Sequence, residues 1–503
     1  MMATLLFCLF VTSINQSVVS IAGPSIVANL GGFEYYAWIF TAFSLTSAIV
    51  VPIVGKLNDL FGPKKVMVPS LILFAFATLI CGLSNNMIFF ILSRAIQGIG
   101  FAGVLGIVWI MVASLWEPRQ RGKWLGITSA GFTTAGVLGP IIGGVINDLI
   151  SWRWIFFVNI PFCIIAIITI IKLFPNSEQL KSNKFDFKGA IIFAIFGSTF
   201  LLAISLIGQN NTYFSLNIFI LFIVATASLL IFIYIEKNTE EGIIDLKLFK
   251  LKYFTGGMIG SLFIVISWTV WTVFLPLSLI GVYGFSSSKT SIALISLSIG
   301  SAIGANIFGN LIGKTKLQLP IAITGFSIVA VSMLYSGYTN LDINFYLLLV
   351  LALVVGFGST GAFAAYTVPI QNNLPEENLG IVTTSLQFSR VFGISLGSSL
   401  LGVILLTNMT TYNYDQPRKD LYSPDNITSK EKILDIKKEY LEHSSLKLFE
   451  EDLQISRSNL KKGLRRVYFS ASIPAFLGII TSIAVFYKPN LRRSLEEDLK
   501  QNE

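Results

Sequence analysis

Apolar runs repeat along nearly the whole chain, separated by short polar stretches. A helix must be about 20 residues long to cross ~30 Å of hydrocarbon at ~1.5 Å per residue. Runs of that kind fall at about 3–28, 37–57, 66–84, 87–115, 123–147, 153–174, 188–208, 214–235, 254–281, 289–313, 318–338, 343–371, 380–407 and 467–487. They predict about fourteen membrane-spanning helices. The first run follows Met1 directly and is longer than a signal-peptide core, so it reads as a span rather than a cleaved leader. The segment 408–466 breaks the rhythm. It is polar, yet Ile433, Ile436, Leu441, Leu446, Leu448 and Leu453 recur at roughly helical spacing. That spacing predicts an amphipathic helix, either solvated or lying on the membrane surface.

The cations test the span count, because short cytoplasmic loops accumulate Lys and Arg. With a cytoplasmic N-terminus, the inside loops hold Lys56, Lys64 and Lys65; Arg119, Arg121 and Lys123; Lys181, Lys184 and Lys188; Lys237, Lys247, Lys250 and Lys252; then Lys314 and Lys316. The tail adds Lys488, Arg492 and Arg493, while the outside loops have only Arg153 and Lys289 at their margins. This alternation predicts a multi-pass protein of the cell membrane with both termini cytoplasmic. The long outside segment 408–466 carries Lys432, Lys437, Lys438, Lys461 and Lys462, near the length at which the rule stops applying.

Composition agrees with the pattern. Hydrophobic residues make up 53% and charged residues 13%, where a soluble domain carries about a quarter charged. The net charge of +9 comes without the aromatic–basic interleaving of a nucleic-acid groove, so nucleic acid is not an expected partner. Cys8, Cys81 and Cys163 lie within apolar runs, and the single histidine, His443, lies in a polar loop. Neither a metal site nor a disulfide framework is expected. No G-x-x-x-x-G-K-[ST] run is present, so nucleotide hydrolysis is not the expected energy source, and no cofactor is called for.

Polar and small residues inside or beside the spans carry the chemistry. Gly55-Lys56-Leu57-Asn58-Asp59-Leu60-Phe61-Gly62-Pro63-Lys64-Lys65 joins the second and third runs. Gly55 would let two helices approach, Asp59 could pair with a helix N-terminus or a basic group, Gly62 would turn the chain, and Lys64 and Lys65 would hold the loop in the cytoplasm. The fourth run contains Arg94-Ala95-Ile96-Gln97-Gly98, and an arginine at that depth needs a cavity or a partner. The fifth contains Gly136, Gly139, Pro140, Gly143 and Gly144, a spacing for close helix contact with a proline bend. Trp152-Arg153-Trp154 opens the sixth, and Gln371-Asn372-Asn373-Leu374-Pro375 and Phe388-Ser389-Arg390-Val391-Phe392-Gly393 follow later.

Together these stretches resemble the major facilitator superfamily, in its fourteen-span drug:proton antiporter branch, from about residue 10 to residue 400. The resemblance implies an all-α fold of two six-helix bundles with two extra helices between them. The first bundle would cover 1–174, the two linker helices and their loops 175–253, and the second bundle 254–503, including the long outside loop 408–466. It implies a secondary transporter working by alternating access, and the motif in the fifth run implies export of small organic molecules. It also implies a gating loop at Gly55, Asp59, Gly62, Lys64 and Lys65. A midplane cavity would be lined by Asn15, Gln16, Arg94, Gln97, Gln387 and Arg390, with Trp109 and Trp271 as apolar walls. The implied partners are a small-molecule substrate and the bilayer, with protons as the coupling ion left open and a monomer as the working unit.

This sequence departs from that branch in two ways. The arginines usual at the places of Leu60 and Pro63 are missing. None of the 27 acids falls near the middle of a span, and Asn15 or Gln16 stands where the branch commonly has an aspartate. A cavity with Arg94 and Arg390 and no acid disfavours cations, so a neutral or anionic substrate is expected. Asp59 or Asp148 at a cavity edge is the alternative source of coupling. Two other classes stand beside the transporter: a transporter-like sensor without transport, and a membrane-embedded lipid-linked transferase using Glu34. An enzyme is not expected, since Glu34 has no second acid beside it.

Overall fold

The computed structural model describes residues 1–116, 118–174, 186–207, 215–239, 246–315, 317–339, 344–373, 379–409, 421, 423–443 and 445–486. The first of the expected domain boundaries, near 174–175, borders on residues outside this set. Among the described residues fourteen helices are long and apolar enough to cross a membrane, matching the number of apolar runs.

The first half contains α1 (Met2–Leu30), α2 (Trp38–Phe61), α3 (Pro63–Leu83), α4 (Met87–Leu115), α5 (Pro118–Leu149) and the paired α6 (Trp152–Phe157) and α7 (Asn159–Leu173). The linker pair is α8 (Phe187–Leu206) and α9 (Leu216–Asn238). The second half contains α10 (Lys252–Thr269), α11 (Leu275–Leu277), α12 (Ser287–Thr315), α13 (Gln318–Tyr338), α14 (Phe345–Asn373) and α15 (Leu379–Thr407), then α16 (Pro424–Ile427), α17 (Lys430–His443) and α18 (Leu446–Phe486). Within the first half α4 packs on α2 and α3, and α1 on α5; within the second, α14 packs on α12 and α13, and α18 on α10 and α13. The two halves meet along α5–α12 and α2–α15, while α8 and α9 pair with each other and α8 leans on α2 and α15. One face carries the turn at Phe33 and the other the turn at Lys64. They are called here the Phe33 face and the Lys64 face.

Local chemistry explains the junctions. Gly62 has φ +81°, a left-handed conformation that glycine adopts without strain, and Pro63 follows at the first position of α3, where its missing N–H is no loss. Asn86 caps α4 by accepting from the Phe89 N–H, and Asp186 caps α8 through Gly189. The ninth span runs from Lys252 to Val282, and α10 passes into wide π turns at Val270–Phe274 and Ser278–Val282. Pro276, between them, withholds the backbone donor that a regular turn would use.

Large apolar side chains such as Phe76, Leu92, Ile164 and Leu230 point outward, more than half or nearly half exposed. In a chain that crosses a bilayer this is the lipid-facing surface, since lipid tails are as apolar as these side chains. Close helix crossings therefore rely on small residues. The α12–α14 crossing is the tightest: a Cβ at Gly300 would lie 1.9 Å from the Leu353 carbonyl oxygen, and one at Gly356 2.0 Å from that of Leu297.

The last span differs from expectation. The run was expected to begin at 467, with 408–466 as a loop. Instead α18 is a continuous helix of 41 residues, about 60 Å long, so roughly half of it stands beyond the hydrocarbon on the Phe33 face. Leu460, Leu464, Val467 and Tyr468 are fully buried and Ser456 donates to the Leu421 carbonyl, which carries the helix down into the bundle without a break. The expected amphipathic helix is present as α17. Its Ile436 and Tyr440 pack with Leu421 and Phe449 in a small core of their own, Leu434 and Leu441 stay exposed, and α16 beside it touches α1.

Candidate functional site

Arg94 of α4 donates to three protein oxygens. Its Nε donates to the Ile39 carbonyl at 3.2 Å, and Nη1 donates to Asn15 Oδ1 at 3.3 Å and to Gln97 Oε1. Gln97 Nε2 passes the chain on to Thr78 Oγ1 at 2.7 Å, and the guanidinium lies 4.2 Å above the Phe43 ring. Asn15, Arg94 and Gln97 are each 0–1% exposed. The three were expected to line a cavity; in this conformation they form a buried network that ties α1, α2, α3 and α4 together. Trp271 differs from expectation in the same way. It is fully buried in the π turn after α10, 6.3 Å from the Tyr468 ring and edge-on to it, rather than forming a cavity wall. Trp109 is also buried, and among the described residues the indole nitrogens of both tryptophans find no hydrogen-bond partner.

The fifth-run motif is a seam with two sides. A Cβ at Gly139 would meet Ser17 Cβ at 2.5 Å, and one at Gly143 would meet Val18 Cγ1 at 2.7 Å, so these two glycines admit α1. A Cβ at Gly144 would meet Ser291 Oγ at 2.3 Å, and one at Gly136 would meet Ser298 Oγ at 3.4 Å, so this other pair faces α12 of the second half. Ser298 donates to the Gly136 carbonyl at 3.0 Å and Ser291 to the Pro140 carbonyl at 2.5 Å. The proline bend thus presents an acceptor to the opposite bundle.

At the Phe33 face the seam ends in a charged cap. Asp148, at the end of α5, accepts from the Ser287 N–H at 3.0 Å, the Ser288 N–H at 2.8 Å and the Ser288 hydroxyl at 2.6 Å. These are the free donors at the start of α12, so one half supplies the N-terminal cap for a helix of the other. Asn147 donates to Ser25 Oγ at 2.8 Å and Ser287 Oγ at 2.7 Å. Across the other contact line, Thr41 of α2 lies 2.7 Å from Ser398 Oγ and 3.1 Å from Ser399 Oγ of α15, and Ser395 donates to the Thr41 carbonyl. The Tyr36 hydroxyl donates to the Val273 carbonyl at 2.6 Å. Sequence reasoning marked Asp148 as a span-end acid but missed its serine partners. Serines in spans are common and usually bond their own helix, so only the packing reveals these.

Arg390 sits differently from Arg94. Its guanidinium lies 4.3 Å from the centre of the Phe363 ring on α14 and 5.9 Å from that of Phe132 on α5. The described residues offer it no hydrogen bond and no carboxylate. Gln387, one turn earlier on the same helix face, is likewise half-buried and without a hydrogen bond from the described residues. Gln16 is half-buried on α1.

The gating loop is only partly legible. Gly62 makes its turn as expected, and Lys64 Nζ donates to the Phe174 carbonyl at the end of α7 at 3.0 Å, a cation on a helix C-terminus. Lys65 is exposed. Gly55 was expected to admit a neighbouring helix, but a Cβ there would meet nothing within 4 Å in this conformation. The side chain of Asp59 and those of Gln371-Asn372-Asn373-Leu374-Pro375 lie outside the described residues. Cys8, Cys81 and Cys163 are free and buried, and no cluster of metal ligands occurs among the described residues.

Fourteen spans, two bundles joined along paired helices and a small-residue seam define a polytopic transporter. The chain belongs to the Major Facilitator Superfamily, whose profile matches residues 5–398. It is 33% identical over 80% of its length to the multidrug transporter protein MdtP of Bacillus subtilis, covering 74% of that protein. It is 31% identical over 81% of its length to multidrug resistance protein 3 of the same organism, covering 79% of it. A bacterial homologue of the human lysosomal transporter Spinster, solved inward-facing and occupied, superposes with a TM-score of 0.61 at 15% identity, over 97% of this chain and 98% of that one.

Proposed function

We propose that the protein exports small neutral or anionic organic molecules across the cell membrane by alternating access. The charge pattern puts the Lys64 face and both termini in the cytoplasm and the Phe33 face outside. The observation that carries the reading is the seam. The hydrogen bonds between the halves named above lie between mid-span and the Phe33 face, which supports a conformation held shut on that face. The seam is made of neutral hydroxyl–carbonyl bonds and one carboxylate cap, each worth about 1–3 kcal/mol at most, so it can part within a transport cycle. The relatives are multidrug transporters, which favours export. The division into bundles 1–174 and 254–503 around a 175–253 linker is part of the same proposal, and the pairing of α8 with α9 supports it. Both contact lines close within one chain, so a monomer suffices, and no step calls for bond-making chemistry.

The test is transport by purified protein in liposomes with a pH-sensitive dye inside, an imposed proton gradient, and cationic, neutral and anionic solutes in turn. Movement of neutral or anionic solutes is expected, and accompanying proton flux would make protons the coupling ion. Tight, strongly pH-dependent binding of ethidium-like cations would overturn the substrate charge. Failure of every solute to move would favour a sensor over a carrier.

A further inference from the structure

We infer that Arg390, Phe132 and Phe363 form a subsite for an aromatic or amphipathic anion, with Arg390 holding its carboxylate or sulfonate. The inference rests on the exporter reading and names its substrate class. The first argument is depth. Arg390 is eleven residues into α15, about 17 Å from the start of that helix, and Ser395 and Ser398 of the seam come only one to two turns later. On the other half, Phe132 lies one turn before Gly136, whose carbonyl accepts the seam bond from Ser298. Arg390 and Phe132 therefore sit just below the seam, on opposite halves and near mid-span. Alternating access requires a substrate held where both halves can reach it.

The second argument is the contrast between the two mid-span arginines. A guanidinium at this depth is retained only with partners or water. Arg94 has three oxygen acceptors and is sealed from solvent. Arg390 has ring faces from both halves but no oxygen acceptor among the described residues. Rings at 4.3 and 5.9 Å orient a planar guanidinium while leaving its N–H edge unused. That edge matches a carboxylate in bidentate geometry, and the same rings offer apolar surface to the rest of an aryl acid. The neighbouring Gln387 amide supplies a further donor on the same face. None of the acids falls near the middle of a span in the sequence, so no competing carboxylate is expected at this level.

The experiment uses the full-length protein in lipid nanodiscs and vesicles with two isosteric probes, 2-naphthoate and neutral 2-naphthamide. Wild-type protein is expected to bind naphthoate more tightly than naphthamide. Arg390→Gln is expected to weaken naphthoate at least about tenfold while changing naphthamide less than about twofold. Arg390→Lys, which keeps the charge but loses the fork, is expected to recover part of the difference. Equal loss of both probes in Arg390→Gln, with Arg390→Lys equally impaired, would make the arginine structural and overturn the inference. So would a wild-type preference for naphthamide. Vesicle export of naphthamide separates the two levels: if it persists while naphthoate is ignored, the exporter stands without an anion site, and if wild-type protein moves neither probe, both readings fall for this class.

Discussion

A guanidinium within the hydrocarbon layer is costly unless its hydrogens are used, and the mid-span arginines meet that cost in two ways. Arg94 is satisfied by Ile39, Asn15 and Gln97, drawn from three helices, so truncation would strand several acceptors at once. Arg94→Ala should lower the stability of the purified protein by on the order of 3 kcal/mol, read as thermal unfolding in detergent, with no change in preference between charged and neutral solutes. A selectivity change without a stability loss would return Arg94 to the cavity. The sequence showed that both arginines needed an explanation but not which had one. Partners contributed by other helices follow from packing, and the local patterns around Arg94 and Arg390 look equally like lining residues. Asn15 or Gln16 was legible as standing in the place of an expected acid, and of the two it is Asn15 whose amide oxygen accepts from Arg94.

Single helices show the same division between what a local pattern reveals and what it hides. The glycine spacing of α5 announced a packing seam, yet the periodicity alone could not say that Gly139 and Gly143 admit α1 while Gly136 and Gly144 face the other half. Gly144→Ala would set a methyl 2.3 Å from Ser291 Oγ and 3.0 Å from the Ser287 carbonyl. Overpacking of this kind costs roughly 1–3 kcal/mol, and here it acts only on the closed state. Cysteines placed below the seam should become more accessible to an impermeant thiol reagent added outside; unchanged labelling would mean that the α5–α12 contact is not the gate. The α16–α17 segment carries a second dependence. Asp425, beside the Phe33–Glu34 turn, has its pKa raised above the ordinary 3.8, first by burial and then by the Glu34 charge, against the opposing pull of the Ser423 hydroxyl and Lys432. A carboxyl with a raised pKa in the docked state is favoured protonated there. Docking is therefore weakest at neutral pH and tightens as pH falls through the docked pKa toward 3.8. Hydrogen exchange over 423–443 should slow on acidification, and Asp425→Asn should remove most of that response. A response intact in the variant would assign it to another group.

Across the whole molecule, the span count and the two-bundle plan were readable because bilayer thickness and cation placement act on each helix separately. The seam was not, because it joins residues as far apart in sequence as Thr41 and Ser398, whose hydroxyl oxygens are 2.7 Å apart. That spacing makes the gate testable in a single protein. Replacing both residues with cysteine should allow a disulfide at the Phe33 face, since two thiols in place of those oxygens need close by less than ~1 Å to bond. Native Cys8, Cys81 and Cys163 are free thiols, so a disulfide formed in the double variant and not in the parent protein is assigned to the new pair. If the seam must part in each cycle, oxidation should abolish transport while leaving binding from the cytoplasmic side intact, and reductant should restore transport. Binding is the readout that separates a locked carrier from a damaged one. Retained transport with the disulfide formed would show that α2 and α15 move as one body, and would leave the α5–α12 line, with Asp148 on the start of α12, as the contact that opens.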